Sequence, residues 1–300
     1  MDTMHAADLL NLLIAALLLA GLYAAMSVGM TIIYGVMKIV NLAHAGFMML
    51  GAYFVLELHE RLGMDPLIGV LFAFPVFFLG GMLVYWLLVR WIPMSDQPTL
   101  ASLLLMFGLW LVLQNIGYLV WGNSDRAILT ARTFRTVHLG PILIPYIRLV
   151  VFAAAASSLA VLELTLRKTW FGMSVRALMQ NQQAGRIVGI HVERTARRTF
   201  GLGTAFAGAA GGLLAMLYSF SPDFGRPFLL RSFVIIVLGG LESFSGVAVG
   251  ALILALVETL SILVLPAGYQ PAIAFGLLVL ALVVLPGGVA TLFQKRQRLA

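Results

Sequence analysis

Few polar side chains interrupt the apolar runs of this chain, and those few bound the chemistry open to it. Asn41 and His44, followed by Gly46, break the hydrophobic stretch 35–56. Glu242, followed by Gly246, breaks the stretch 232–265. A polar group in lipid is expensive, so such residues face a bundle interior or a solute path. Two roles are open to Asn41 and His44. With Gly46 they line a path in which helix ends offer N–H and C=O groups to a zwitterionic solute. Alternatively, Asn41 caps a helix that starts near Leu42, and His44 satisfies backbone groups at the break. Glu242 either takes an ammonium group or sits hydrated at the membrane edge, where a carboxylate costs less. Glu57, Glu163 and Glu258 fall near expected helix ends and read as interfacial.

Other chemistries lack their residues. There is no Cys, hence no disulfide, Cys metal site or thiol nucleophile. No G-x-x-x-x-G-K-[ST] loop exists to cradle a nucleotide, and no H-E-x-x-H pair exists to hold a metal. No nucleophile, base and orienting group stand together. The chain is therefore not expected to be an enzyme, to carry a cofactor of its own or to bind a metal.

The elements around these residues are membrane spans. The 300 residues are 61% hydrophobic and 10% charged, with a mean hydropathy of +1.01. Apolar runs of about 18 residues or more recur, the length that crosses a bilayer as helix. Only helices satisfy their own backbone in lipid without closing a barrel. The expected fold is an all-α polytopic membrane protein, one unit over 1–300, with about eight to nine transmembrane helices. Spans are expected near 9–34, 35–56, 67–89, 99–121, 144–166, 199–220, 232–265 and 270–285. The run 232–265 is too long for one straight helix and is expected to break near 239–246, either crossing twice or re-entering. Residues 41–56 and 240–256 echo one another, each a polar break, a Gly and a helix rich in small residues. Interrupted segments in corresponding halves point to a transporter's central pathway. Gly208-x-x-x-Gly212 and Gly246-x-x-x-Gly250 are close-packing patterns, read as internal.

One polar stretch orients the chain. Residues 166–198 carry seven of the 19 Lys and Arg: Arg167, Lys168, Arg176, Arg186, Arg194, Arg197 and Arg198. Basic loops stay cytoplasmic, so the net charge of +7 marks topology rather than nucleic-acid binding. Counting crossings puts the N-terminus and the polar loop 122–141 outside. The tail with Lys295, Arg296 and Arg298 is cytoplasmic only if 232–265 crosses twice. Within the loop, 174–189 reads as a helix with Ser174 as N-cap and Gly189 as its stop. It carries Val175, Leu178 and Met179 on one face, to lie on the membrane surface or in a partner's groove.

Three collinear stretches resemble the permease subunits of branched-chain amino-acid ABC transporters: YGVMKIVNLAHAGFMMLGAY (34–53), RALMQNQQAGRIVGIHVERTARRTFGLGTAFAGAAGGLLA (176–215) and SFVIIVLGGLESFSGVAVGALILALVE (232–258). The resemblance implies an inner-membrane permease subunit of an ATP-driven importer. Its partners would be two ATPase subunits that bind ATP and Mg, a second homologous permease and an extracytoplasmic binding protein, all within membrane lipid. It implies that 176–189, from Arg176 onward, is the coupling helix that docks on an ATPase. The family's Glu-Ala-Ala-x-x-x-Gly pattern aligns with Gln183, Ala184, Gly185 and Gly189. Gln183 lacks the carboxylate of a charge-assisted contact, and a Gly inside a helix costs about 1 kcal/mol relative to Ala. The rival reading is an ion-coupled secondary transporter, with Glu242, His44 and Glu258 carrying the coupling charge.

Overall fold

The computed structural model describes residues 6–140, 142–285 and 287–289. Eleven α-helices fill the described residues: α1 (Ala6–Met37), α2 (His44–Leu62), α3 (Pro66–Leu87), α4 (Pro98–Trp121), α5 (Tyr146–Lys168), α6 (Trp170–Gln180), α7 (Gln182–Ile187), α8 (Val192–Ala215), α9 (Gly225–Gly239), α10 (Phe244–Ser261) and α11 (Gln270–Val284). A two-stranded antiparallel hairpin, β1 (Thr136–Leu139) and β2 (Ile142–Pro145), stands ahead of α5. The fold is all-α and polytopic, as composition requires, with this one addition. Ile144 belongs to the hairpin rather than to the span after it.

Among the described residues, five helices are long and apolar enough to cross a membrane: Asp8–Met37, Pro66–Met94, Pro98–Trp121, Tyr146–Lys168 and Phe244–Ser261. The others fall short for legible reasons. α2 carries Glu57, Glu60 and Arg61 in its last turns, and α8 begins with the basic residues of the loop. α9 and α11 have 15 residues each, about 22 Å at 1.5 Å per residue, against roughly 30 Å of hydrocarbon.

α8 is the centre, packed against α1, α2 and α3. Its small residues bring backbones together: a Cβ at Gly203 would strike Gly29 O, and one at Gly211 would strike Met48 O. Without a hydrophobic drive between helices in lipid, such close approach is what holds them. Thr204 adds a cross-helix bond, its hydroxyl donating to Phe77 O at 2.9 Å. Gly208 and Gly212 meet Phe77 and Val55, so their spacing serves internal packing.

α9 and α10 run antiparallel. Gly239 abuts Gly246, and Gly250 abuts Ile235, in the opposed order that a hairpin of helices requires. The run 232–265 is thus broken at 240–243 and doubles back as a hairpin of helices. Helix α9 already starts at Gly225, ahead of the span expected from 232, and there it abuts Ala45 O. The segment before it is pinned by two backbone bonds between Phe220 and Arg126, 2.8 Å each, and by Phe220 set edge-on to Tyr53. After α11 the Val289 N–H donates to Leu238 O at 2.8 Å, which returns the chain to the end that holds the α9–α10 turn. Lys295, Arg296 and Arg298 lie outside the described residues.

Candidate functional site

The basic loop folds as a platform of two helices rather than the single helix expected over 174–189. α6 starts after Thr169, whose hydroxyl accepts from Gly172 N at 3.1 Å. Ser174 lies inside α6 and donates to Trp170 O instead of capping. Asn181 ends α6 in an extended conformation and caps α7, its Oδ1 accepting from Gln183 N (2.9 Å) and Ala184 N (3.0 Å). An Asn satisfies these first N–H groups well, so the break belongs to that one residue. Gly189 does stop the platform, with φ at +85°, the left-handed region where Gly has no Cβ penalty.

The platform's apolar face turns inward. Val175 and Leu178 are buried, and Met179 packs beside Gly35 at the end of α1. Gly185 is buried too: a Cβ there would meet Leu178 Cδ2 at 2.6 Å. The helix-propensity cost of Gly185 is thus the condition for folding α7 back onto α6. Arg176 does not face outward either, since its guanidinium donates to Leu166 O at the end of α5. Gln182 donates to Val36 O at the end of α1. Trp170 and Met173 of α6 stay exposed, and so does the α7 tip: Gln183, Ala184 and Arg186, with Ile187 and Val188 at 86% and 74% exposure.

The first helix break lies deep. α1 stops at Met37, and Lys38 takes φ +56° as its N–H donates to Tyr34 O. The chain then climbs back beside α1, and α2 begins at His44, whose Nε2 lies 2.8 Å from Met26 O. Met26 stands three turns before the end of α1, about 16 Å along the helix, near the bilayer middle. Asn41 and His44 are wholly buried. Asn41 does not cap α2: no side chain caps that helix, and both Asn41 amide atoms and His44 Nδ1 lack protein partners. Gly46 is taken up in packing against Leu113 of α4.

The second break is elsewhere. Glu242 is half-exposed at the α9–α10 turn and forms an ion pair with Lys38, so the two breaks meet through one salt bridge. Ser243 caps α10, accepting from Gly246 N at 3.0 Å, and Gly246 packs on Gly239. Glu258, read from sequence as interfacial, is buried. Arg231 Nε reaches it at 2.8 Å and the Tyr23 hydroxyl at 2.5 Å. These three line a 480 Å³ cavity with Arg148, Tyr218 and Phe228. Sequence position misled because both partners come from other helices.

Another polar cluster was not foreseen. Asp223, just ahead of α9, accepts from Gln114 Nε2 and from Tyr118 OH (2.5 Å) of α4. The only sequence signal was an acid and a base, Asp223 and Arg226, in the short polar stretch 221–231 between apolar runs.

The family described as the branched-chain amino acid transport system permease component matches residues 12–285. The permease protein LivH of the high-affinity branched-chain amino acid transport system is 27% identical in Salmonella typhimurium and 28% in Escherichia coli K12. Each match covers 90% of this chain and 92% of the relative. BraD of Pseudomonas aeruginosa, described in the same words, is 27% identical over 93% of this chain and 95% of its own. The xylose transport system permease XylH of Haemophilus influenzae is 36% identical over 41% of this chain. No solved structure matches the chain.

Proposed function

The chain belongs to the branched-chain amino acid transport permease family, and from that premise we propose how it works as the membrane-spanning subunit of an ATP-driven importer. The platform end is cytoplasmic and the β-hairpin end extracytoplasmic, which puts the N-terminus outside. The basic residues of 166–198 support this orientation. Two ATPase subunits supply the ATP and Mg chemistry, a binding protein delivers substrate to the hairpin side, and a second homologous permease shares the path.

The α7 tip is the docking point for an ATPase. One observation carries this reading: the platform's exposed tip is wired to three helices at once. Arg176 ties it to α5, Gln182 to α1, and the chain itself runs on from Gly189 into the central α8. A push on Ile187, Val188 and Ala184 therefore moves the helices that form the bundle, a rigid-body closure rather than a local one. The exposed apolar pair offers a partner an anchor, and Gln183, beside it, offers a neutral contact in place of a carboxylate.

The ion-coupled alternative finds no support in the charges it needs. Glu242 is paired with Lys38, Glu258 is paired with Arg231, and His44 is sealed among helices.

The test uses proteoliposomes holding this chain with its ATPases, second permease and binding protein. Leucine uptake should require ATP. Ala184→Arg should abolish uptake while the chain still folds and inserts, because the side chain is exposed and the bundle does not need it. Uptake by the lone chain on an ion gradient would sink the importer reading. Undiminished uptake by Ala184→Arg would move the docking point elsewhere.

A further inference from the structure

We propose that Asp223 and Arg226 form the receptor for the zwitterionic head of the transported amino acid, Asp223 for its ammonium and Arg226 for its carboxylate. The assignment rests on the transport reading above and names the residues that reading leaves open.

Asp223 is exposed, and its two hydrogen-bond donors, Gln114 and Tyr118, are both neutral. No cation lies within ion-pair distance of it among the described residues. Arg226 is exposed as well, and its guanidinium makes no hydrogen bond, ion pair or ring contact among them. The two are joined only through the backbone, Arg226 N donating to Asp223 O at 3.0 Å. An anion and a cation thus stand three residues apart in one turn and leave each other free.

The location excludes a lipid-facing role. Gln114 lies about two turns inside the end of α4, and a charge at that depth faces a cavity or path rather than hydrocarbon. Arg226 is also the second residue of α9, so the positive end of that helix lies beside it and favours a carboxylate there. Leu229, one turn on from Arg226, gives a branched apolar side chain a neighbour.

The charges that follow Arg226 on α9 and α10 are already paired. Arg231 and Glu258 neutralise one another within a buried pair, and Lys38 and Glu242 do so at the far end of α9. Asp223 and Arg226 are also on the bundle's surface rather than inside it. A path lined by them runs along this subunit and needs a second subunit to close it.

The experiment compares ATP-driven leucine uptake by the reconstituted complex carrying Asp223→Asn, Asp223→Glu, Arg226→Gln or Arg226→Lys. Complex yield and basal ATPase activity are measured on the same samples. Losing a charge-assisted contact should lower uptake about 10- to 100-fold in the Asn and Gln variants, with yield and ATPase activity kept. The Glu and Lys variants should recover part of it. Competition sharpens the pairing: 3-methylbutylamine, which keeps only the ammonium, should lose its inhibition of uptake in Asp223→Asn and keep it in Arg226→Gln. Asn or Gln variants that take up leucine within about twofold of wild type, or that fail to assemble, overturn the assignment. A wild-type complex indifferent to ATP would instead overturn the transport reading itself, a result separable from the variants' behaviour.

Discussion

The two helix breaks, 38–43 and 240–243, read alike in sequence and are finished differently in space. Each follows a helix that stops at a left-handed residue, Lys38 with φ +56° in one and Gly240 with φ +100° in the other. Each precedes a helix whose third residue is Gly, Gly46 in α2 and Gly246 in α10. At the second break every requirement is met locally: Gly takes the positive φ, Ser243 caps α10, and Gly246 sits on Gly239. At the first, a Lys takes the positive φ, no side chain caps α2, and Asn41 and His44 keep unpartnered polar atoms in the interior. The first leaves hydrogen-bonding groups unused in the closed interior.

The sharpest way to break this comparison is to add one methyl group at each glycine. At Gly246 the new Cβ would strike the backbone carbonyl of Gly239, which cannot turn aside. At Gly46 it would meet the side chain of Leu113, on the sparsely packed α4. Overpacking costs about 1–3 kcal/mol, and Gly246→Ala should take the upper end. Its purified yield and Tm in detergent should fall clearly below those of Gly46→Ala. Equal losses would mean that the breaks are packed alike.

Next in size is the cap. Ser243→Ala removes the acceptor for Gly246 N and should cost about 1 kcal/mol. Asn41→Ala removes no protein hydrogen bond and should leave Tm unchanged or raise it, because an unpartnered buried polar group is itself a cost. A Tm drop in Asn41→Ala as large as in Ser243→Ala would assign Asn41 to structure alone.

Much of this was legible in the sequence, for physical reasons that also mark where legibility ended. Span length and apolar composition fixed the class, and the Gly spacings of α8 and α10 disclosed close packing. The broken platform was not foreseen, because hydrophobic spacing ran on through Asn181 and only its capping chemistry divides the helix. Glu258 was misread because proximity to a helix end says nothing of Arg231, 27 residues earlier on another helix. Asp223 was passed over because its donors come from α4, more than 100 residues before it. In each case the deciding partner is tertiary, and periodicity carries no signal for it.

The smallest effect bears on why a Lys stands where the second break has Gly. A non-Gly residue in the left-handed region costs roughly 1–2 kcal/mol. The ion pair to Glu242 joins side chains about half exposed, 46% and 51%, and such pairs return at most about 1 kcal/mol. Strain and bond therefore nearly cancel, and two substitutions separate them. Lys38→Ala keeps the strain and loses the bond, so its Tm should fall slightly. Lys38→Gly loses both and should match or exceed wild type, differing from Lys38→Ala by about 1 kcal/mol. If the two variants melt together, the backbone at residue 38 is not strained, and the contrast between the breaks reduces to their caps. If Lys38→Gly is the more stable yet transports less, the Lys is kept for the bridge it makes between the breaks, at a cost in stability that the second break does not bear.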